Sequence, residues 1–239
     1  MDSIKFDKLH VKMVAHRGLS GIELENTLPA FVAAANRSYF GIETDVYKVA
    51  DGKYVLSHDN TSARISETNV SIPDSTYEDL KKINLLDKHD RKPRTDLHYC
   101  LLDEYVRVMK RYGKIGVLEL KMNFSKEEVI EIIDIIKQED YLDGIIFISF
   151  HFEPLAHIRS LLPEHPIQYL AWEINENIIN KIVTHKMDLD VNLRAVTEEN
   201  VKLLHEKGVK INVWTVDDPD TAHKLAKWNV DYITSNILE

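Results

Sequence analysis

The sequence predicts an α/β protein, a closed (β/α)₈ TIM barrel with a small insertion after the second strand. Eight short apolar runs, the predicted main strands, begin near residues 12, 40, 115, 144, 167, 189, 210 and 230. Most of them are followed by a longer amphipathic run with a helical period. Such repeated units predict a parallel sheet, because each helix returns the chain across it. Eight units within 239 residues match the size of a closed barrel.

The first part of the chain supplies two main strands and one helix before the pattern changes. "KMVAH" is predicted to be a buried strand, and "LPAFVAAANR" a helix with Pro29 in its first turn. "FGIETDVYK" is the second strand, and "DGKYVLSH" is a further strand that begins at an Asp-Gly turn. Residues 59–98 are polar, charged and irregular, with a helix start only in "STYEDLKKI". We interpret this insertion as a cap that faces the substrate rather than as part of the core.

The rest of the chain alternates between helices and strands. The predicted helices are "LLDEYVRVMKRYG", "SKEEVIEIIDIIKQ", "EPLAHIRSLL", "ENIINKIVTHK", "TEENVKLLHEKG" and "DPDTAHKLAKWN". The predicted strands are "KIGVLELKM", "GIIFISF", "IQYLAW", "LDVN", "KINVWTVD" and "VDYITSN". Because we find no linker, we expect residues 1–239 to form a single domain. An open doubly wound sheet is the alternative, although "HRGLSG" lacks the spacing of its glycine-rich phosphate loop.

The composition makes several classes of protein unexpected. A formal net charge of −9 argues against a nucleic-acid partner, because phosphate backbones are bound by clustered lysine and arginine. Cys100 is the single cysteine, so an intrachain disulfide is impossible, and its apolar context predicts a buried side chain. No segment has the length of a membrane span, and the start lacks the apolar run of a signal peptide. We therefore expect a cytoplasmic protein; the oligomeric state is not predicted.

Three carboxylates are expected at the mouth of this barrel. Active sites of the fold lie at the carboxyl ends of the strands, where Glu43, Asp45 and Glu119 fall. Glu43 and Asp45 are two residues apart on one strand and therefore share a face. Converging carboxylates repel one another unless a cation neutralises them, and oxygen ligands favour Mg²⁺ or Ca²⁺. Ordinary ion pairs at the rim are the alternative interpretation.

Basic residues are expected at the same end of the barrel. His16 and Arg17 end the first strand, and His58 follows the additional strand. Lys121 shares a face with Glu119 and could bind a substrate anion, with a simple ion pair as the alternative. An anionic substrate would need such local positive charge in a protein with a net charge of −9. Later strands end in other polar or aromatic residues: Ser149, His151, Trp172 and Trp214.

Seven short motifs carry a resemblance to a known family. In chain order they are "HRG" (16–18), "ENT" (25–27), "ETD" (43–45), "DGKYVLSHD" (51–59), "LELK" (118–121), "ISF" (148–150) and "VWTV" (213–216). With these motifs the sequence resembles the glycerophosphodiester phosphodiesterases over nearly its full length, most weakly in residues 60–100. It departs from the family at "ITSN" (233–236), which lacks the aspartate common there, and we assign no role to Ser235.

The resemblance implies a TIM barrel that hydrolyses glycerophosphodiesters to sn-glycerol 3-phosphate and an alcohol. It implies three ligands for Ca²⁺ or Mg²⁺, which are Glu43, Asp45 and Glu119. It implies a general acid and a general base, which are His16 and His58. It implies phosphate contacts from Arg17 and Lys121, and a wall against the glycerol from Trp214.

Three other functions on the same barrel remain open at this point. A lysophospholipase D-like enzyme would need an apolar groove beside the mouth. A lyase would stop at a cyclic phosphate. A non-catalytic barrel that only binds phosphodiesters would be expected to have lost a metal ligand or a histidine, and all five of these residues are present in the sequence.

Overall fold

The computed structural model describes residues 2–239, and these form a closed barrel of eight parallel strands with a ninth strand outside it. The strands are β1 Lys12–Ala15, β2 Gly41–Lys48, β3 Tyr54–Leu56, β4 Ile115–Leu120, β5 Ile145–Ser149, β6 Ile167–Ala171, β7 Asp188–Asn192, β8 Ile211–Trp214 and β9 Tyr232–Ser235. β1 pairs in parallel with both β2 and β9, which closes the sheet into a ring. β3 pairs antiparallel with β2. The prediction of a TIM barrel is confirmed, and the open sheet is wrong.

Helices return the chain from strand to strand around the outside of the barrel. They are α1 Leu28–Ala35, α3 Leu102–Tyr112, α4 Lys126–Gln138, α5 Phe152–Leu161, α6 Glu176–Thr184, α7 Glu198–Glu206 and α8 Pro219–Lys227, whereas the short helix α2 Tyr77–Leu80 lies in the insertion. Local sequence signals set their ends. The Ser125 hydroxyl accepts a hydrogen bond from the backbone N–H of Glu128, whose side chain returns to Ser125, a reciprocal cap of α4. Gly113 ends α3 in the left-handed conformation, with φ of 63°.

The strands place apolar and polar side chains at different heights inside the ring. Successive side chains of a strand point to opposite faces, so every second residue points into the barrel. On β4, Val117 is packed in the lower interior, and Glu119 follows two residues later at the carboxyl end. Leu118 and Leu120, on the other phase, pack into the large cluster between strands and helices. The same alternation on β2 directs Glu43 and Asp45 inward.

Residues 59–98 have a small hydrophobic cluster of their own. The cluster contains Ile65, Ile72, Tyr77, Leu80, Leu85 and Leu97 from this segment, together with Leu24, Val49, Val55 and Tyr99 from its surroundings. It is separate from the cluster that packs the barrel against its helices. The insertion therefore rests on the β2–β3 hairpin as a packed unit, which its irregular sequence did not predict.

Two expectations from composition concern burial and membranes. Cys100 is fully buried, as its apolar context predicted, and burial raises the pKa of its thiol. Among residues 2–239, we find no helix with the length and apolar character needed to cross a bilayer.

Candidate active site

A cavity of about 260 Å³ opens at the carboxyl ends of the barrel strands. Its wall contains every residue that the sequence predicted for the site except Asp45: His16, Arg17, Glu43, His58, Glu119, Lys121 and Trp214. Asp45 lies against this group, fully buried on β2. Residues that are more than 190 positions apart in the sequence thus meet in one cavity because the ring of strands closes.

The three predicted metal ligands form a buried carboxylate trio, consisting of Glu43, Asp45 and Glu119. Their ligand oxygens all lie within 4.8 Å of one another, and the residues are 3%, 0% and 8% exposed. Burial and the Asp45 charge raise the pKa of Glu43 well above its ordinary value, and they raise that of Glu119 to about 7. These shifts mean that the protein by itself poorly stabilises three negative charges in this space.

Two cationic side chains partly neutralise the trio. Lys121 Nζ lies 2.9 Å from Glu119 Oε1 and 3.3 Å from Asp45 Oδ1, and Arg17 Nε lies 3.6 Å from Asp45 Oδ2. Burial opposes the ionisation of Asp45, but the charges of Lys121 and Arg17 outweigh it and lower the pKa of this carboxyl. Three convergent carboxylates facing two cations are a donor set that fits a hard divalent ion, which prefers oxygen ligands.

The turn after β1 needs a glycine for steric reasons. Arg17 and Gly18 both have positive φ, 55° and 77°. A side chain at Gly18 would place its Cβ 2.7 Å from the Cβ of Ala30 in α1, so only glycine allows this approach. The turn also directs the backbone N–H of Arg17 to Glu43 Oε2, over 2.8 Å. The "HRG" motif thus serves both packing and the site.

The "ENT" motif fixes the residues beside the trio. Asn26 Nδ2 donates a hydrogen bond to Asp45 Oδ2 over 2.9 Å. Glu25 Oε1 accepts one from Arg17 Nη1 over 3.0 Å, and Thr27 leads into α1 in an extended conformation. From the sequence, the motif carried only the family resemblance and no role of its own. The structure gives Asn26 and Glu25 definite positions, next to a predicted ligand and a predicted phosphate contact.

His16 is held by a residue that follows the neighbouring strand β9. Its Nδ1 lies 2.8 Å from Asn236 Oδ1, and its Nε2 lies 4.0 Å from Glu43 Oε2. Asn236 in turn donates from Nδ2 to Asp217 Oδ2 over 2.6 Å. Burial first, and the Arg17 charge second, lower the pKa of His16 to about 4. The imidazole is therefore neutral at physiological pH.

His58 pairs with a carboxylate on the insertion. Its Nδ1 lies 2.7 Å from Asp59 Oδ1, and the other oxygen of Asp59 accepts a hydrogen bond from Arg64 Nε over 2.7 Å. Burial lowers the pKa of His58, and the carboxylates of Asp45 and Asp59 oppose that shift. Residues 59–98 thus reach the edge of the cavity and help to orient one of its histidines.

Comparison with known proteins decides the family. The model of the glycerophosphoryl diester phosphodiesterase family matches residues 16–238. The chain belongs to this family. A glycerophosphodiester phosphodiesterase of Bacillus subtilis is 24% identical over 241 residues, covering 93% of this chain and 82% of the relative. One of Bacillus altitudinis is 27% identical over 229 residues, covering 93% of each chain.

Solved structures agree with the barrel. A glycerophosphodiester phosphodiesterase of Thermotoga maritima superposes with a TM-score of 0.77 at 29% identity, covering 95% of both chains. A phosphodiesterase of Oleispira antarctica, solved in complex with its product sn-glycerol-3-phosphate, superposes with a TM-score of 0.86 at 23% identity. The superposition on the Oleispira antarctica protein covers 98% of this chain and 96% of that protein. The predictions of the family, of a phosphodiesterase and of the fold are confirmed.

One wall of the cavity in this phosphodiesterase family member consists of aromatic side chains. Trp214 meets Trp172 edge to face at 4.8 Å between ring centroids, and Phe150 stacks on Trp172 at 5.7 Å. Trp172 is nevertheless 67% exposed. The sequence placed both tryptophans at strand ends, and "ISF" contains Phe150, but their mutual packing was not predicted.

Three residues near the cavity were not predicted from the sequence. Asn236 and Asp217 gave no signal beyond the departure at "ITSN". Asp190, on β7, lines the cavity with 2% exposure, and burial raises its pKa well above the ordinary value. Conversely, Ser149 and His151 are used locally, since the Ser149 hydroxyl donates to Leu120 O and accepts from the N–H of His151.

Proposed function

We propose that the protein hydrolyses glycerophosphodiesters to sn-glycerol 3-phosphate and an alcohol, with a divalent cation and two histidines. The observation that carries the proposal is the convergence on one cavity of His16, His58 and a buried carboxylate trio. Membership of the family gives the substrate class. The sequence alone placed these residues only at the ends of separate strands.

The trio of Glu43, Asp45 and Glu119 would hold Ca²⁺ or Mg²⁺. When bound, such a cation neutralises phosphate charge and lowers the pKa of a hydroxyl or water. Its charge would also compensate the carboxylates that Arg17 and Lys121 now face, so that both side chains could bind the phosphate. Arg17 offers a planar fork of donors to phosphate oxygens, and Lys121 offers a point charge.

The two histidines would move the protons. His16 accepts a proton at Nε2 from the attacking hydroxyl, whose oxygen then bonds to phosphorus. His58 donates a proton to the oxygen of the departing alcohol as its bond to phosphorus breaks. The Asp59 carboxylate, 2.7 Å from Nδ1, stabilises the protonated form of His58 that this step requires. General acid and base assistance each contribute about 10²- to 10⁴-fold.

The attacking hydroxyl is either that of water or the glycerol hydroxyl adjacent to the phosphate. In the second case a cyclic phosphate forms, and water opens it while the two histidines exchange roles. A lyase would release the cyclic phosphate instead. The two outcomes differ in a product that phosphorus NMR resolves.

A lysophospholipid substrate is a second candidate, and a specific observation favours it. A groove of about 570 Å³ adjoins the mouth, and it contains Trp172, Leu193 and Trp214 together with the polar residues Asn192, Arg194 and Thr215. Trp172 and Trp214 belong to both groove and cavity. A lysophospholipase D-like activity needs such an apolar surface to bind an acyl chain.

The test is an assay of sn-glycerol 3-phosphate release from glycerophosphodiesters with several head groups, with and without EDTA. We expect release that chelation abolishes and that added Ca²⁺ or Mg²⁺ restores. A lysophosphatidylcholine in the same assay tests the second candidate. Binding without turnover of any substrate would support the non-catalytic barrel. The cytoplasmic location, the lack of a nucleic-acid partner and the single domain of residues 1–239 stay predictions.

A further inference from the structure

Four buried polar residues lie in the barrel on the side opposite the carboxylate trio, and two of them, Asp190 and Thr234, line the cavity. Gln168, Asp190, Asn212 and Thr234 lie on four consecutive strands of the ring, β6 to β9, and all are at most 2% exposed. Thr234 Oγ1 donates to Asn212 Oδ1 over 3.1 Å, and Asn212 Nδ2 donates to Gln168 Oε1 over 3.5 Å. We call these four residues the polar floor.

Asp190 is the member of the polar floor whose hydrogen bonding is incomplete. It pairs with Asn212 in the strand register and lines the cavity. Its Oδ1 is buried and has no hydrogen-bond partner within residues 2–239. A buried carboxyl oxygen without a partner is unfavourable, because it has lost water and gained nothing in return. Such a group at the wall of a cavity is suited to a ligand that brings a donor.

The position of Asp190 indicates which part of a substrate it would meet. Around the ring, three strands separate β7, which carries Asp190, from β2, which carries Glu43 and Asp45, in either direction. A substrate whose phosphate lies at the trio would reach Asp190 by extending across the shared cavity toward β7. Trp214 stands beside this path and offers an aromatic face to C–H groups. A small polyol has the C–H faces and hydroxyl groups that this combination would bind.

We propose that Asp190 determines specificity for glycerol, by accepting a hydrogen bond from the hydroxyl farthest from the phosphate. This inference rests on the proposed function. A site that binds a substrate hydroxyl discriminates strongly against an analogue without it, because its own buried polar group is then left unpaired. Asp190 is thus a specificity residue, and it takes no part in proton transfer.

The experiment compares glycerophosphocholine with 2-hydroxypropyl phosphocholine, which lacks only the distant hydroxyl and retains the one adjacent to the phosphate. We expect wild-type kcat/KM to favour glycerophosphocholine by at least 100-fold. In Asp190→Ala this ratio should fall to below 10-fold, mainly through loss on glycerophosphocholine. Asp190→Asn, which keeps an accepting oxygen and nearly the same shape, should retain part of the ratio. Thr234→Val is the matched control. The hydroxyl that it removes already donates to Asn212, so the ratio should stay near the wild-type value.

Other results would overturn the inference. An unchanged ratio of the two kcat/KM values in Asp190→Ala would show that the side chain does not bind the distant hydroxyl. Equal losses on both substrates, or a tenfold weaker affinity for Ca²⁺ by calorimetry, would assign Asp190 to the fold or to the cation site. If the wild type hydrolyses neither substrate, the proposed function fails. The inference can then still be tested by calorimetry, which measures the affinities of the same variants for sn-glycerol 3-phosphate and 2-hydroxypropyl phosphate. The ratio of these two affinities should fall in Asp190→Ala.

Discussion

Asn236 binds the ring of His16 across 220 residues of sequence, with 2.8 Å between Oδ1 and Nδ1. The orientation of the Asn236 amide follows from its other neighbour. Asp217 offers carboxylate oxygens, which only accept hydrogen bonds, so the amide nitrogen must face Asp217 and the amide oxygen must face His16. His16 then carries its hydrogen on Nδ1, and the lone pair of Nε2 points toward the cavity. This is the tautomer that a general base requires.

Replacing Asn236 should therefore impair catalysis more than binding. In Asn236→Ala we expect kcat to fall about 100-fold with KM nearly unchanged, near the lower end of the range for general base catalysis. Steady-state kinetics on glycerophosphocholine measure both constants. Ser20→Ala is the control, because Ser20 donates to the same Asn236 oxygen over 2.8 Å and makes no hydrogen bond to the His16 ring. A similar loss in both variants would show that the network supports the fold and not the tautomer.

Replacing either histidine should lower kcat by orders of magnitude. His16→Ala and His58→Ala each remove one proton carrier, while Arg17, Lys121 and the cation site remain to bind the phosphate. The double variant should be little worse than the worse single one, because groups that act as a unit are not additive. Arg17→Ala should instead weaken binding and catalysis together. Near-normal kcat in His16→Ala would contradict the assignment of that residue as the base.

The metal-free protein should lose stability as pH rises from about 4.5 to about 7. Burial and the Asp45 charge raise the pKa of Glu119 to about 7 in the folded state, above its ordinary value of 4.5. A raised carboxyl pKa favours the folded state at pH values below the unfolded pKa, and this contribution disappears as pH rises through the folded pKa.

Thermal unfolding of wild type and Glu119→Gln in EDTA tests this expectation. The difference in Tm between the two should shift in favour of Glu119→Gln as pH rises through this window, because glutamine does not ionise. Added Ca²⁺ or Mg²⁺ should stabilise the wild type at pH 7 more than the variant, since a ligand of the folded state raises Tm. A pH-independent difference between the two proteins would contradict the titration of Glu119.

The insertion should influence the choice of head group through Lys88. This residue lines an outer pocket of about 560 Å³ that also contains His16, Arg17 and Glu25, on the polar side of the mouth. In Lys88→Ala we expect KM to rise several-fold for glycerophosphoserine, whose head group carries a carboxylate, and to change little for glycerophosphocholine. Lys92→Ala, which removes an exposed lysine of the same segment, is the control. If the KM for each substrate is the same in the wild type, Lys88→Ala and Lys92→Ala, Lys88 does not influence the choice of head group.

The sequence by itself determined the barrel and the residues at its mouth. Alternating apolar and amphipathic runs are local patterns, and the period of two along β2 and β4 is enough to direct Glu43, Asp45 and Glu119 inward at the carboxyl ends. The tertiary structure alone decided which distant side chains meet. Asn236 reaches His16 only because β9 pairs with β1 when the ring closes. Asp190 faces the trio only because β7 lies across the ring from β2. Neither relationship leaves a local signal, since it depends on closure and register over the whole sheet.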